Sequence, residues 1–315
     1  MNMNKNLIPP QPFLRGDLVE IRSMREIAET LDENGKFDGM PFMPEMVQYC
    51  GRQFRVYRRA DKTCVAGYGL RRMNSAVFLE ELRCDGSAHD GCQRTCLFFW
   101  KEAWLKPAKE IDPSSKMGLQ PQDDNTRWLK QLPTRQDDRY FCQSTELYAA
   151  TSELSRWSIK QFIQEIRYGE LSIRDFLIIV WRTATHRFLG WSEPGTLFGS
   201  RTQNHKGDLN LEAGEWVNVK KAEKIRACLD SNGNNCGLSF IPGMSKSIGG
   251  RYQVQFPINK IIIEQTGKMA HLTHTVALKG VICQGACSRN CPRSEYYFWR
   301  ESWLSRAEAP NRSPQ

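Results

Sequence analysis

Six cysteines and one histidine in the first 142 residues have the chemistry to hold a metal. They are Cys50 in YCG, Cys64 in KTC, Cys84, Cys92 and Cys96 in a C-x7-C-x3-C run, His89 inside that run, and Cys142 in YFCQSTEL. Thiolates at the ends of neighbouring strands can converge on one zinc ion, with bonds of about 2.3 Å, or on an iron–sulfur cluster. Gly86 and Gly91 loosen the loop between them. Neither spacing is the C-x2-C of a zinc knuckle, so two other readings stand beside the metal. Free cysteine is among the most buried residue types, and a thiol beside His89 could serve as a nucleophile.

Near the C-terminus, Cys283, Cys287 and Cys291 form C-x3-C-x3-C, a possible second metal site to which Cys228 or Cys236 could add a ligand. That spacing is one residue longer than the C-x3-C-x2-C of radical SAM enzymes, and no alternating strand and helix pattern surrounds it. Other catalytic signatures are missing. GYGLRR (67–72) lacks the lysine and helix of a phosphate loop and the third glycine of a dinucleotide fingerprint, and neither H-E-x-x-H nor G-x-S-x-G occurs. Glu80 and Glu81 read as strand neighbours on opposite faces, which is no acid/base pair.

Charge offers a different chemistry. Arg52, Arg55, Arg58, Arg59, Lys62, Arg71 and Arg72 interleave with Phe54, Tyr57 and Tyr68, the composition of a face that contacts phosphates and stacks bases. Alternating arginines on a strand are also a common solvated face. The net charge of +9 is modest for 315 residues, and residues 214–315 carry 14 basic against 7 acidic side chains.

An internal repeat organises these groups. Residues 16–56 align without a gap with 214–254, with 13 of 41 positions identical, and residues 82–105 align with 281–304, with nine of 24 identical. Two copies at this spacing are a duplicated domain rather than a solenoid. The expected organisation is a tail (1–15), a cysteine-rich module (16–106), a linker with a helical hairpin (107–213), a second module (214–306) and a tail (307–315). The copies differ in their thiols: Cys84 and Cys92 are matched by Cys283 and Cys291, but Cys50 by Ile248, Cys96 by Glu295 and His89 by Ser288.

Alternating runs in GDLVEI, GRQFRVYR and AVFLEELRC predict short strands, and an amphipathic stretch through Ile27 and Leu31 predicts a helix stopped at Asn34-Gly35. Capping boxes opening at Ser158 and Ser172 predict helices over 159–167 and 173–188, with Gly169 and Gly190 as stops. Trp100/Trp104 and Trp299/Trp303 stand four apart, so FFWKEAWL and YFWRESWL read as closing helices, with Glu102 and Glu301 turned outward or capping a loop. The fold class is mainly β with a helical insertion (α+β).

The GD opening, the G-x-F-x-V strand and the later hairpin resemble SH3-like barrels of the KOW or Tudor sort, which implies two small duplicated barrels and admits RNA as a partner. The run of GDLVE, MPFMPEM, YCGRQFRV, KTC, LRCDG and FFWKEAWL is similar to a group of uncharacterised bacterial cysteine-rich proteins, which implies no activity.

With 40% hydrophobic and 25% charged residues the composition is globular, which excludes collagen, wholesale disorder and a disulfide miniprotein. The N-terminus lacks an apolar run of signal-peptide length and the longest apolar stretch, Phe176–Trp181, is far shorter than a membrane span. A cytoplasmic protein without membrane contact is expected, its thiols reduced and available to metal. The expected function is metal binding, through zinc or an iron–sulfur cluster, in a scaffold or an accessory redox or biosynthetic role. Nucleic-acid binding and thiol catalysis are the alternatives, and the partner, whether a protein or a small-molecule substrate, is open.

Overall fold

A computed structural model describes residues 11–109, 124–155, 159–188, 195–200, 207–285 and 290–309. Ser158, Gly190 and Cys287 lie outside them. The chain forms two compact units. The first comprises Met1–Ile179 with Ile262–Met269 and Asn290–Arg293, and the second Val180–Ile261, Ala270–Arg289 and Ser294–Gln315.

The structure is mainly β, and each unit is built on a five-stranded antiparallel sheet. In the first, the strands run in the order 100–101, 76–79, 53–59, 18–21, 105–107. In the second the order is 299–300, 275–278, 251–257, 216–219, 304–307. Register is shared as well: Leu18 faces Arg55 as Trp216 faces Gln253, Val77 faces Trp100 as Val276 faces Trp299, and both long strands carry an irregularity at the matching place, Val56/Arg58 and Val254/Phe256.

The FFWKEAWL segment is a strand, a three-residue 3-10 turn (Glu102–Trp104) and a second strand, not the closing helix expected from its tryptophan spacing. Those two strands are the opposite edges of one sheet. Four residue steps span at most about 14 Å, whereas the edges of a flat five-stranded sheet lie about 19 Å apart, so the sheet must curl. It does not close: among the described residues no ladder joins the edges, which corrects the expected closed SH3-like barrel. Trp100 and Trp104 are completely buried inside the curl, where Phe42 meets Trp104 edge-on with ring centres 5.4 Å apart. Phe240 and Trp303 repeat the contact at 5.4 Å in the second unit.

Glu102 and Glu301 are buried loop caps. Glu102 accepts the Phe13 N–H at 3.0 Å and pairs with Arg59 at 2.7 Å, and Glu301 accepts the N–H groups of Leu211 and Asn210 at 2.8 and 3.0 Å. Helix α1 (Met24–Ala28) opens on a Ser23/Glu26 capping box and ends well before Gly35, which instead leads into the 36–41 hairpin. Glu80 and Glu81 sit in a turn rather than a strand. Helices α2 (Ile159–Arg167) and α3 (Ile173–Phe188) have the expected bounds, and their Phe162 and Phe176 rings touch at 5.4 Å. The Ser172 hydroxyl accepts the Asp175 N–H at 3.0 Å as an N-cap.

Candidate metal centre

The C-x7-C-x3-C run folds back on itself beside the core of the first unit. Arg83 bridges Leu97, and the Cys84 N–H donates to the Cys96 carbonyl at 2.8 Å. The two cysteines are therefore antiparallel neighbours, whose side chains share one face at about 5 Å. Gly86 makes the turn possible. Its φ is +73°, and a Cβ there would meet the Cys92 carbonyl oxygen at 2.2 Å. The tight loop drives His89 inward until it is 1% exposed.

Glu45 meets it from the 3-10 helix Pro44–Tyr49. One carboxylate oxygen, Oε1, lies 2.6 Å from His89 Nδ1, accepts the Ala88 N–H at 3.2 Å and stands 3.8 Å from the Cys84 sulfur. The other, Oε2, is buried and has no hydrogen-bond partner among the described residues. On the far side of the ring, Nε2 lies 3.0 Å from the Phe141 carbonyl. A carbonyl only accepts, so Nε2 holds a proton and Nδ1 turns to the carboxylate. Burial pulls the His89 pKa down, but the hydrogen bond and charge of Glu45 outweigh it and leave the imidazole above its ordinary value. The Cys84 thiol is driven well up, by burial first and then by Glu45. A thiol raised in this way is a poor nucleophile until something deprotonates it.

The ligand atoms of Glu45, Cys84 and His89 all lie within 4.8 Å of one another. Donors at about 2.0–2.3 Å from a single ion stand at most about 4.6 Å apart, and the separations from Glu45 Oε1, 2.6 Å to His89 Nδ1 and 3.8 Å to the Cys84 sulfur, fall inside that limit. Cys84, His89, Cys92, Cys96 and Cys142 line one small cavity of about 30 Å³ with Ser144 and Gln143. Cys142 follows Phe141, the residue that orients His89, and its N–H donates to Thr145 Oγ1 at 2.9 Å. Gln143 locks this turn to the core through the Phe99 and Pro41 backbones. Cys96 lies 3.3 Å from Ser144 Oγ, while the Cys92 sulfur accepts the Ile262 N–H at 3.3 Å.

The other expected ligands lie elsewhere. Cys50 is in the hydrophobic core of the first unit, where burial pushes its thiol to about 12. Cys64 faces Cys291. In the second unit Cys283 repeats the backbone ladder of Cys84, donating its N–H to the Glu295 carbonyl at 2.7 Å. Cys228 donates to the Lys224 carbonyl, and Cys236 offers its carbonyl to Arg300. Among the described residues no second group of three ligands comes together.

Of the basic residues, Arg59 is buried between Asp61 and Glu102, Lys62 is buried against Glu165, and Arg58 pairs with Glu170. Arg71 bonds Thr151 and lies over the Tyr148 ring, Arg52 lies over Tyr49 and Phe54, Arg55 is exposed and bonds the Gly16 carbonyl, and Arg72 is exposed.

Glu45 escaped the sequence reading, although the repeat carries a signal for it. Its match is Gly243, lost together with His89, which becomes Ser288. A Cβ on Gly243 would stand 2.1 Å from the Tyr297 hydroxyl, and Tyr297 matches Phe98. The second copy thus fills with a phenol the place where the first carries a carboxylate.

No protein-family model, curated protein or solved structure matches this chain.

Proposed function

We propose that the protein is a metal-binding protein whose first unit holds one zinc-class divalent ion on Cys84, His89 Nδ1 and Glu45, with Cys96 and Cys142 supplying the remaining position. The observation that carries this reading is the Glu45–Cys84–His89 cluster with its orphaned, buried Glu45 Oε2. A mixed sulfur, nitrogen and oxygen donor set suits zinc, whereas iron–sulfur clusters take thiolates almost alone. The His89 Nε2–H held by a backbone carbonyl is the orienting bond that metal-bound histidines require.

The role is structural. The donors come from three segments, around residues 45, 84–96 and 142, and the cavity beside them is small, about 30 Å³. An ion there would deprotonate the thiols and tie the three segments together. The two curled sheets are read as a pair of small SH3-like modules, on the strength of their shared strand order and register.

Elemental analysis with an absorption spectrum tests the reading. One zinc per chain is expected in the wild type and in Cys283→Ser, and none in Cys84→Ser or His89→Gln. Cobalt in its place should show a thiolate charge-transfer band that Cys84→Ser loses. Protein without metal, or metal that survives both site variants, overturns the reading. Iron and sulfide with a broad visible band would replace zinc by a cluster.

A further inference from the structure

Two cysteines outside the metal centre meet within the first unit. Cys64 lies on the strand Lys62–Val65, and the segment Asn290–Arg293 brings Cys291 to it, the sulfurs 3.3 Å apart across 227 positions of sequence. The Cys64 N–H donates to the Cys291 sulfur at 3.3 Å, and Arg293 bonds the Cys64 carbonyl at 2.8 Å and Glu264 at 2.9 Å. The repeat makes this contact a second time. Ile262, which stands three residues after Asn259 as Cys64 stands three after Asp61, the two carbonyls accepting the N–H groups of Leu272 and Met73, donates its N–H to the sulfur of Cys92, which matches Cys291. The same strand-to-thiol contact thus occurs twice, and in one of the two the strand contributes a thiol of its own.

We propose that Cys64 and Cys291 are a redox dithiol that closes to a disulfide by exchange with a low-molecular-weight disulfide. Cys64 is half-buried and Cys291 is 2% exposed, so Cys64 attacks first. Its thiolate bonds one sulfur of the small disulfide and releases the other half as a thiolate. Cys291 then gives its proton to solvent and attacks the Cys64 sulfur, which expels the second small thiolate. The protein loses two electrons and two protons, and the small disulfide is reduced to two thiols. Closure needs an approach of about 1.3 Å, from 3.3 Å to the length of an S–S bond.

The order of events has a physical basis. The Cys291 thiol is held well above its ordinary pKa by its hydrogen bond to Cys64, then by burial, then by the Cys64 charge. Once Cys64 is capped by the small molecule its charge is gone, and the second thiol ionises more readily. The closed bond would staple Asn290–Arg293 to the strand Lys62–Val65.

The test is to incubate the full-length protein with oxidised glutathione, alkylate the remaining thiols and map the unreduced digest by mass spectrometry. A peptide joining residues 64 and 291, two fewer free thiols and full reversal by dithiothreitol are expected. Cys291→Ser should stop at a glutathione adduct on Cys64, and Cys64→Ser should leave Cys291 unmodified. Should either variant fail to fold, the wild-type time course decides, with the Cys64 adduct rising before the linked peptide. Glutathione adducts on other cysteines with no 64–291 peptide, or a disulfide formed instead among Cys84, Cys96 and Cys142, overturns the proposal. The dithiol shares no residue with the metal ligands, so this result stands whatever the elemental analysis returns.

Discussion

Glu45 and Gly243 show how a single side chain decides what a shared backbone can do. Both follow the proline that opens matching 3-10 helices, yet one presents a buried carboxylate and the other yields its space to the Tyr297 hydroxyl. The double variant Glu45→Gly/Phe98→Tyr copies the filled arrangement into the first unit. It is expected to keep a cooperative thermal transition and lose the metal, whereas Glu45→Gly alone loses the metal and also leaves a hole. A double variant that retains one metal per chain would show that Glu45 is not a ligand. Lys101 carries a second prediction at this scale. It is fully buried, and burial lowers its pKa despite the neighbouring Asp38, to which it donates at 3.3 Å. Its unfolded pKa, about 10.4, then exceeds the folded one, so the unfolded chain binds more protons between the two values. Stability should therefore rise with pH from the lowered folded value toward 10.4. Denaturant midpoints measured as the pH is raised toward about 10.4 should show this slope in the wild type and a smaller one in Lys101→Met.

Elements matter here for the distances they force. The 3-10 turn Glu102–Trp104 makes the sheet curl, and the curl buries the tryptophans that fill it. The Gly86 turn does the same for the site, setting Cys84 beside Cys96 and His89 over Glu45. Gly86→Ala would need an L-residue at φ near +73° with its Cβ pressed on the Cys92 carbonyl. A loss of at least about 2 kcal/mol is expected in chemical denaturation, with a matching fall in metal content. An alanine variant as stable and as metal-rich as the wild type would show that the loop has another conformation of equal energy.

At the scale of the whole molecule, each unit has its own core, one around Trp100 and Trp104 and the other around Trp299 and Trp303. Two unfolding transitions are expected in calorimetry. Trp104→Ala should lower one by about 3–5 kcal/mol of stability, and Trp303→Ala the other by a similar amount. A chelator should shift the transition that Trp104→Ala shifts and leave the second in place. A single transition moved by all three treatments would mean that the cores unfold as one.

The amino-acid sequence by itself determined the local elements. The bounds of α2 and α3, the strands at 18–21, 53–59 and 76–79 and the matching of the two copies all follow from periodicity, caps and turns, whose causes lie within a few residues. It also singled out Cys50, Cys64, Cys84, His89, Cys92, Cys96 and Cys142 as candidate ligands. Tertiary structure decided which of them meet. Glu45 and His89 are 44 positions apart and Cys64 and Cys291 are 227 apart. Such contacts are set by the curl of a sheet and the path of distant loops, which leave no periodic trace along the chain. The open sheet edge was illegible for the same reason, since closure depends on where two strands stand in space rather than on what either contains.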